Sequence, residues 1–257
     1  MPAIDLNADL GEGYGPWRMG EDEALLGLLS SANIACGFHA GDPLIMDRTV
    51  REAVRRGVDV GAHVSFPDRQ GFGRRPMQVD AAELAAMVVY QLGALAGIAK
   101  RAGGRVTHMS FHGALGNMAA ADAALAEPLV RAVAEFDPGL TVLTSASPAI
   151  EGAAAAAGLR AVRCFLADRA CDRDGMLVPR KLPGAVIHDE AAVLERVRRL
   201  LRDGTVVAHD GAMVPMPCTS ILLHGDTPGA LDLARAVRQA VAAAGGGPVP
   251  LSRQGAP

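Results

Sequence analysis

The sequence predicts a single α/β domain, with a closed or nearly closed (β/α) barrel as the first choice and an open doubly wound sheet as the alternative. Short apolar segments alternate with longer helical segments along the whole chain, which indicates parallel strands joined by right-handed crossovers. The 257 residues suit one such domain. Hydrophobic residues make up 50% of the chain but aromatic residues only 4%, so small aliphatic side chains must fill the core.

Eight segments have the length and apolar composition of strands, and one of the eight need not belong to the main sheet. They are residues 3–8, 32–36, 58–63, 106–111, 141–143, 161–165, 205–208 and 220–223. Residues 171–183 interrupt the alternation, because this segment is charged and contains a turn sequence from Asp172 to Gly175. It is predicted to form a small hairpin or lid after the sixth strand.

The segments between the strands carry the signals of helix ends. Asp42 followed by Pro43 is typical of an N-cap with proline in the first turn. Asp80 begins a capping-box spacing, and Pro148 is predicted to open a helix that Gly158 closes.

The last helix defines the end of the predicted domain. It is predicted to begin at residues 226–228 and to run to about residue 244. The barrel domain is therefore expected to span residues 1–245, and the Gly- and Pro-rich residues 246–257 are expected to form a flexible tail.

Composition excludes several functional classes. The formal net charge is −3 and no basic stripe is present, so we expect no nucleic-acid partner. No segment is expected to span a membrane, and the N-terminus lacks the pattern of a signal peptide. The four cysteines form no C-x-x-C pair. These features favour a reducing cytoplasm.

The first predicted strand carries polar side chains on one face. Asp5, Asn7 and Asp9 occupy alternate positions, and apolar residues occupy the positions between them. Carboxylates and amides do not remain unpaired in an apolar core. A solvated edge strand is the alternative, but the position of this strand in an α/β chain favours a polar site inside a barrel mouth.

Most histidines lie at strand ends. Five of the seven follow or close a predicted strand: His39, His63, His112, His209 and His224. Because the carboxyl ends of parallel strands converge on one face, where ligands bind, we expect a shared pocket. Its predicted members are Asp9, His39, His63, His112 and His224.

Imidazoles and carboxylates together serve as general acids and bases or as metal ligands. The chain has no G-x-S-x-G elbow and no P-loop sequence. These observations favour a hydrolase or lyase that acts on a small polar substrate. A divalent metal is an open alternative, with Asp9, His39 and His63 as candidate ligands.

Several stretches together resemble the LamB/YcsF family over residues 4 to about 245. The stretches are 4–12, 31–42, 61–63, 67–68, 72–74, 112–115, 167–169, 177–180 and 224–226, and the second of them, SANIACGFHAGD, is the most specific. The resemblance implies a seven-stranded barrel like those of glycoside hydrolases and deacetylases. It also implies ATP-dependent opening of 5-oxo-L-proline to L-glutamate, in a complex with B and C subunits.

The resemblance and the strand-end pattern together give the predicted site. Asp9, His39, His63 and His112 are the catalytic candidates. The candidates for binding substrate or nucleotide are Asp5, Asn7, Glu12, Asn33, Asp42, Asp68, Arg74, Asn117, Asp168, Arg169, Arg180, His224 and Asp226. For Asp42, a role as a helix cap is an equal alternative.

The sequence departs from the family pattern at three positions. Ser110 stands where the family has a lysine, and Gly116 and Cys171 stand where it has tyrosines. A lysine could stabilise developing negative charge, so Ser110→Lys is expected to raise activity, alone or together with Gly116→Tyr. Two alternatives to an oxoprolinase remain open, namely a metal-dependent amide hydrolase or deacetylase and a non-catalytic protein of an assembly.

Overall fold

Seven parallel strands form a closed barrel in the computed structural model, which describes residues 3–225 and 229–255. The barrel strands are β1 (Asp5–Leu10), β2 (Ser31–Ala35), β3 (Asp59–Val64), β4 (Val106–Phe111), β5 (Thr141–Thr144), β6 (Arg160–Leu166) and β9 (Ser220–His224). The barrel closes because β9 pairs with both β6 and β1. The predicted (β/α) barrel with seven strands is therefore confirmed.

The eighth predicted strand lies outside the barrel, as the sequence allowed. β7 (Thr205–Val207) pairs antiparallel with β8 (Met213–Pro215) in a separate two-stranded sheet. The segment predicted as a hairpin or lid contains an antiparallel bridge between Cys171 and Leu177. Both features lie between β6 and β9, where the chain departs from simple strand–helix alternation.

Eight helices lie within the described residues. They are α1 (Asp22–Leu26), α2 (Pro43–Arg56), α3 (Ala81–Arg101), α4 (Gly113–Ala121), α5 (Ala123–Phe136), α6 (Pro148–Ala156), α7 (Glu190–Asp203) and α8 (Ala230–Ala243). The Asp42 carboxylate accepts hydrogen bonds from the Leu44 and Ile45 amides, so this residue is the predicted N-cap of α2. The predicted start of the last helix, residues 226–228, lies outside the described residues.

Helix α3 is long and apolar enough to cross a membrane by length and composition alone, with 28% of its most apolar window buried in the domain. In this fold it packs against α5, α2 and β3. A helix that covers a barrel passes the same compositional test.

The C-terminal segment packs against the amino end of the barrel. Leu251 is buried, and Ser252 donates hydrogen bonds from its amide and its hydroxyl to the Asp59 carboxylate. Arg160 of β6 also donates to the Leu251 carbonyl, at 3.1 Å. The expectation of a flexible tail came from its Gly- and Pro-rich composition, which disfavours regular structure but does not prevent specific contacts.

Candidate active site at the carboxyl end of the barrel

A cavity of about 110 Å³ lies at the carboxyl ends of the strands. Its polar lining consists of Asp9, His63, Arg74, Ser110, His112, Asn117, Thr144, Ser145, Arg169, Arg180 and His224. Its apolar lining includes Leu143, Ile150, Cys164, Leu166 and Leu222. The cavity thus joins a carboxylate–imidazole region, a guanidinium region and an apolar wall.

The five side chains predicted to share a pocket lie together at this cavity. Asp9, His63, His112 and His224 line it directly. His39 lies behind His112, with the two rings stacked at a centroid distance of 3.9 Å. His39 also forms an edge contact with His63. The predicted convergence of these five residues is therefore what the fold produces.

The hydrogen bonds of His112 and His63 define which ring nitrogen carries a proton. His112 Nε2 lies 2.8 Å from the Phe72 carbonyl oxygen, which only accepts, so Nε2–H donates and Nδ1 carries a lone pair. His63 Nε2 lies 2.9 Å from that Nδ1 and therefore donates to it. The Ser110 hydroxyl lies 2.6 Å from His63 Nδ1 and completes the chain.

The carbonyl that fixes His112 belongs to a residue with an unusual backbone conformation. Phe72 has φ of 53°, and no other non-glycine residue among those described has a positive φ. Such a conformation costs free energy in a bulky residue. The turn is thus held in place by its surroundings, which include edge contacts of the Phe72 ring with His39 and His112.

Burial keeps two of the imidazoles neutral, and the neighbouring histidines keep the central carboxylate ionised. Burial, followed by repulsion from His63, lowers the pKa of His112 to about 3. Burial and the neighbouring histidines also hold the pKa of His39 well below its usual value. Burial acts to raise the pKa of Asp9, but attraction to His63 outweighs it and holds this pKa below the usual range. Asp9 is therefore a carboxylate at neutral pH.

A polar network inside the barrel positions Asp9. The Asn33 amide donates to Asp9 Oδ1 at 3.0 Å and to Asn7 Oδ1 at 2.9 Å, and its own oxygen accepts from His108 Nε2 at 3.0 Å. Asn7 in turn donates to Asp5.

The lower part of this network is sealed from solvent. Asp5, Asn7 and Asn33 are fully buried, and the hydroxyls of Ser30 and Ser220 each donate to Asp5 at 2.7 Å. Burial raises the pKa of Asp5. Asp5, Asn7 and Asn33 were predicted to bind substrate or nucleotide, but they lie below the cavity and do not line it. The periodicity of the strand showed that they face the interior but not how deep they lie.

A second network borders the guanidinium region. His224 Nδ1 lies 2.8 Å from the Asp168 carboxylate and therefore donates to it, which leaves Nε2 to accept from Arg180 at 3.1 Å. Arg169 is buried and donates to the carbonyls of Val178 and Ala185. Burial and repulsion from Arg180 lower the pKa of Arg169 to about 10.

The donor set that suits a metal differs from the set predicted. Ligand atoms of four buried side chains lie within 4.8 Å of one another and could hold a metal ion: Glu12, His39, His63 and His112. Asp9 was a predicted ligand but is not in this group, although its Oδ2 lies 3.3 Å from His63 Nε2. Glu12 follows β1 in a loop that brings its carboxylate to His39, a placement that strand periodicity does not predict.

Other predicted residues lie away from the cavity. The Asp42 carboxylate caps α2 and also accepts from the Gly15 amide. Asp68 pairs with Arg75, and His209 donates to the Pro183 carbonyl near the outer two-stranded sheet. Cys171 is buried but does not line the cavity. Asp226 lies outside the described residues.

Ser110 is a residue whose role sequence reasoning missed, since it was considered only as the replacement of a lysine. A signal was present in the sequence. His108, Ser110 and His112 alternate in and just after β4, so they share one face. That alternation could have placed the Ser110 hydroxyl beside the histidines.

The fold and the site define the class of protein: a closed (β/α) barrel with a carboxylate–imidazole site at its mouth, where enzymes of this architecture place their active sites. The LamB/YcsF family model matches residues 4–255, and the chain belongs to this family. The expectation drawn from the motifs is thus confirmed.

Relatives extend over the whole domain. A protein of Ralstonia nicotianae that is named as a 5-oxoprolinase subunit of type A is 70% identical over 251 residues, covering 98% of this chain and 96% of the relative. The crystal structure of a lactam utilization protein from Thermus thermophilus is 41% identical with a TM-score of 0.90, covering 98% of this chain and 100% of that one. A GH113 beta-1,4-mannanase shares the fold alone, with 11% identity, a TM-score of 0.51 and coverage of 93% and 99%.

Proposed function

We propose that this protein hydrolyses 5-oxo-L-proline to L-glutamate with ATP as co-substrate, as one component of a multi-subunit enzyme with B and C subunits. The names of its relatives support the reaction and the complex. The observation that carries the proposal is the cavity, which combines an ionised carboxylate, imidazoles and guanidinium groups. A lactam that bears a carboxylate has the complementary groups.

The size of the cavity favours a small substrate. Its volume of about 110 Å³ is well below the range of about 300–1,000 Å³ that is usual for sites of drug-sized ligands. A five-membered lactam suits this volume and a nucleotide does not. The apolar wall, which includes Leu143 and Leu222, suits the ring methylene groups.

In the proposed reaction, Arg180 and Arg169 bind the substrate carboxylate and the lactam carbonyl carbon faces Asp9. The Asp9 carboxylate, oriented by Asn33, accepts a proton from the attacking water. The water oxygen bonds to the carbonyl carbon, and the ring C–N bond breaks. The ring nitrogen takes up a proton and becomes the amino group of glutamate, while the former carbonyl becomes its side-chain carboxylate.

ATP fits neither cavity of the described chain well. The second cavity, of about 780 Å³, has the size for a nucleotide. Its charged lining contains more carboxylates than guanidinium groups: Glu21, Asp22, Glu23, Asp47 and Glu52 against Arg18, Arg48, Arg51 and Arg55. A triphosphate would be repelled there. We propose that ATP binds in the complex with contributions from a partner protein.

The proposed setting is the cytoplasm. All four cysteines are free thiols. Thiols in this state suit a reducing compartment.

A second candidate function is a metal-dependent amide hydrolase that works without partner subunits. The group of Glu12, His39, His63 and His112 favours it, because such a set can hold a metal ion. Glutamate release from 5-oxoproline, measured with and without ATP and with and without B and C subunits, separates the candidates. Turnover that requires all components supports the first proposal, and turnover by the chain alone supports the second. A chain that can be omitted without loss has only an assembly role.

Arg180→Ala is expected to raise KM for 5-oxoproline by about 10- to 100-fold with a smaller effect on kcat, because a charge-assisted hydrogen bond to the substrate is lost. Steady-state kinetics of the complex measure this change. Arg173→Ala is the matched control, since Arg173 belongs to the same segment but pairs with Asp210 at the surface. An equal KM for the two variants would remove Arg180 from the proposed carboxylate site.

Ser110→Lys is expected to lower activity by about 10-fold, contrary to the expectation from the family pattern. The substitution removes the hydroxyl that lies 2.6 Å from His63 Nδ1 and adds a cation to a cavity that already contains three arginines. The net value of one hydrogen bond is about 1 kcal/mol, so Ser110→Ala should lose somewhat less activity than the lysine variant. A gain of activity in Ser110→Lys would restore the original expectation.

The companion substitution Gly116→Tyr is unfavourable on this backbone. A Cβ atom at position 116 would lie 2.5 Å from the Phe111 carbonyl oxygen. The backbone at the start of α4 would have to move, so the double variant is not expected to recover activity.

A further inference from the structure

We propose that four side chains at the barrel mouth bind one divalent transition-metal ion of the zinc type: Glu12, His39, His63 and His112. They come from the loops and strand ends of β1 to β4, which the barrel brings together. The proposal goes beyond the reaction proposed above and does not depend on it, because it rests on the arrangement of ligand atoms.

The spacing of the donor atoms suits a single ion. Glu12 Oε1 lies 3.1 Å from His39 Nε2 and 3.7 Å from His112 Nδ1. His112 Nδ1 lies 2.9 Å from His63 Nε2. For metal–nitrogen bonds of about 2.0–2.1 Å, the edges of a tetrahedral site are roughly 3.3 Å long. Adjustments of a few tenths of an ångström would bring these atoms to coordination distance.

Hydrogen bonds at the outer nitrogens orient two of the imidazoles as metal-binding histidines are usually oriented. The Phe72 carbonyl holds His112 from Nε2, and the Ser110 hydroxyl holds His63 from Nδ1. The remaining nitrogen of each ring faces the other members of the group. Support of this kind fixes the ring orientation and the tautomer of a metal ligand.

His39 contributes an independent observation. Its Nδ1 atom is buried and has no hydrogen-bond partner among the described residues, and the whole residue is only 1% exposed. An unsatisfied buried polar atom is unfavourable and requires an explanation. A rearrangement of this ring around a bound cation would give both of its nitrogens a partner.

The donor chemistry selects the class of ion. Three imidazole nitrogens and one carboxylate oxygen suit Zn²⁺ and its first-row neighbours, whereas Mg²⁺ and Ca²⁺ prefer oxygen ligands. The group borders the cavity next to Asp9, whose Oδ2 lies 3.3 Å from His63 Nε2. A metal ion held there would supply Lewis-acid polarisation of a substrate carbonyl.

Metal binding by the purified full chain tests the proposal without any substrate. The protein is stripped with a chelator, and Zn²⁺ and Co²⁺ are then titrated in competition with a chromophoric chelator. We expect one equivalent of metal per chain, a rise in Tm on binding, and the intense visible absorption of four-coordinate Co²⁺. Mg²⁺ at the same concentration should not compete. Absence of stoichiometric Zn²⁺ binding by the folded wild-type chain overturns the proposal.

Two variants assign the site. Glu12→Gln and His39→Gln should each weaken Zn²⁺ binding by at least about 10-fold. His209→Gln is the matched control, because His209 is exposed and distant from the group, and it should bind like the wild type. Equal binding by all three variants would place the metal elsewhere and reject the assignment. Should a site variant fail to fold, the Co²⁺ spectrum of the wild type decides, since the weak absorption of an octahedral oxygen site would also reject it.

Discussion

Replacement of Asp9 by asparagine is expected to reduce glutamate release from 5-oxoproline by about 10²- to 10⁴-fold, the usual contribution of a positioned general acid or base. Asp9 lines the cavity, and attraction to His63 holds its pKa below the usual range, so it is the ionised carboxylate of the site. An asparagine has the same shape and can still accept the hydrogen bond from Asn33. The substitution therefore removes a proton acceptor and leaves the packing intact.

The assay compares kcat for the reconstituted complex and Tm for the isolated chain. We expect Tm to change little in Asp9→Asn. Asp42→Asn is the matched control, because asparagine caps helices as well as aspartate does and Asp42 caps α2 away from the cavity. If Asp9→Asn retains turnover but melts well below the wild type, Asp9 serves the polar network and not the reaction.

The alternation of apolar segments predicted the barrel because each strand buries its hydrophobic face locally. The convergence of histidines followed from one topological rule, that parallel strands end on the same face. Neither inference required knowledge of a loop. His39, His63 and His112 meet because their positions at strand ends are fixed by the sheet.

The depth and pairing of polar side chains could not be predicted from the sequence. Asp5 and Asp9 have the same alternation, yet Asp5 is sealed inside the barrel by Ser30 and Ser220 whereas Asp9 reaches the cavity. The shear of the closed sheet decides this difference. The approach of Glu12 to His39 depends on the conformation of the loop after β1, which has no periodic signal.

Gly61 shows how closely the interior network constrains the sequence. It belongs to the Gly61-Ala62-His63 stretch of β3, and its Cα faces the ring of His108 on β4. A Cβ atom at position 61 would lie 2.1 Å from His108 Nε2, far inside van der Waals contact. That ring cannot easily move, because it is fully buried and its Nε2 donates to Asn33, which also holds Asp9.

Gly61→Ala is therefore expected to destabilise the fold by on the order of 3 kcal/mol, from overpacking and from the loss of the His108–Asn33 hydrogen bond. For a domain of this size, Tm should fall by roughly 6–12 °C. Gly97→Ala is the matched control, since a Cβ atom at this position of α3 meets nothing within 4 Å. It should be neutral or stabilising by up to about 1 kcal/mol.

A double-mutant cycle isolates the contact between Gly61 and His108. His108→Ala alone should destabilise the barrel, because it leaves a cavity and an unpaired Asn33 oxygen. In the double variant, the new methyl group enters the space that the ring has left, so its stability should be no lower than that of His108→Ala. The interaction free energy should then be about 2–3 kcal/mol in the compensating direction. Additive losses from denaturant unfolding would show that the damage at position 61 comes from the strand backbone and not from the imidazole.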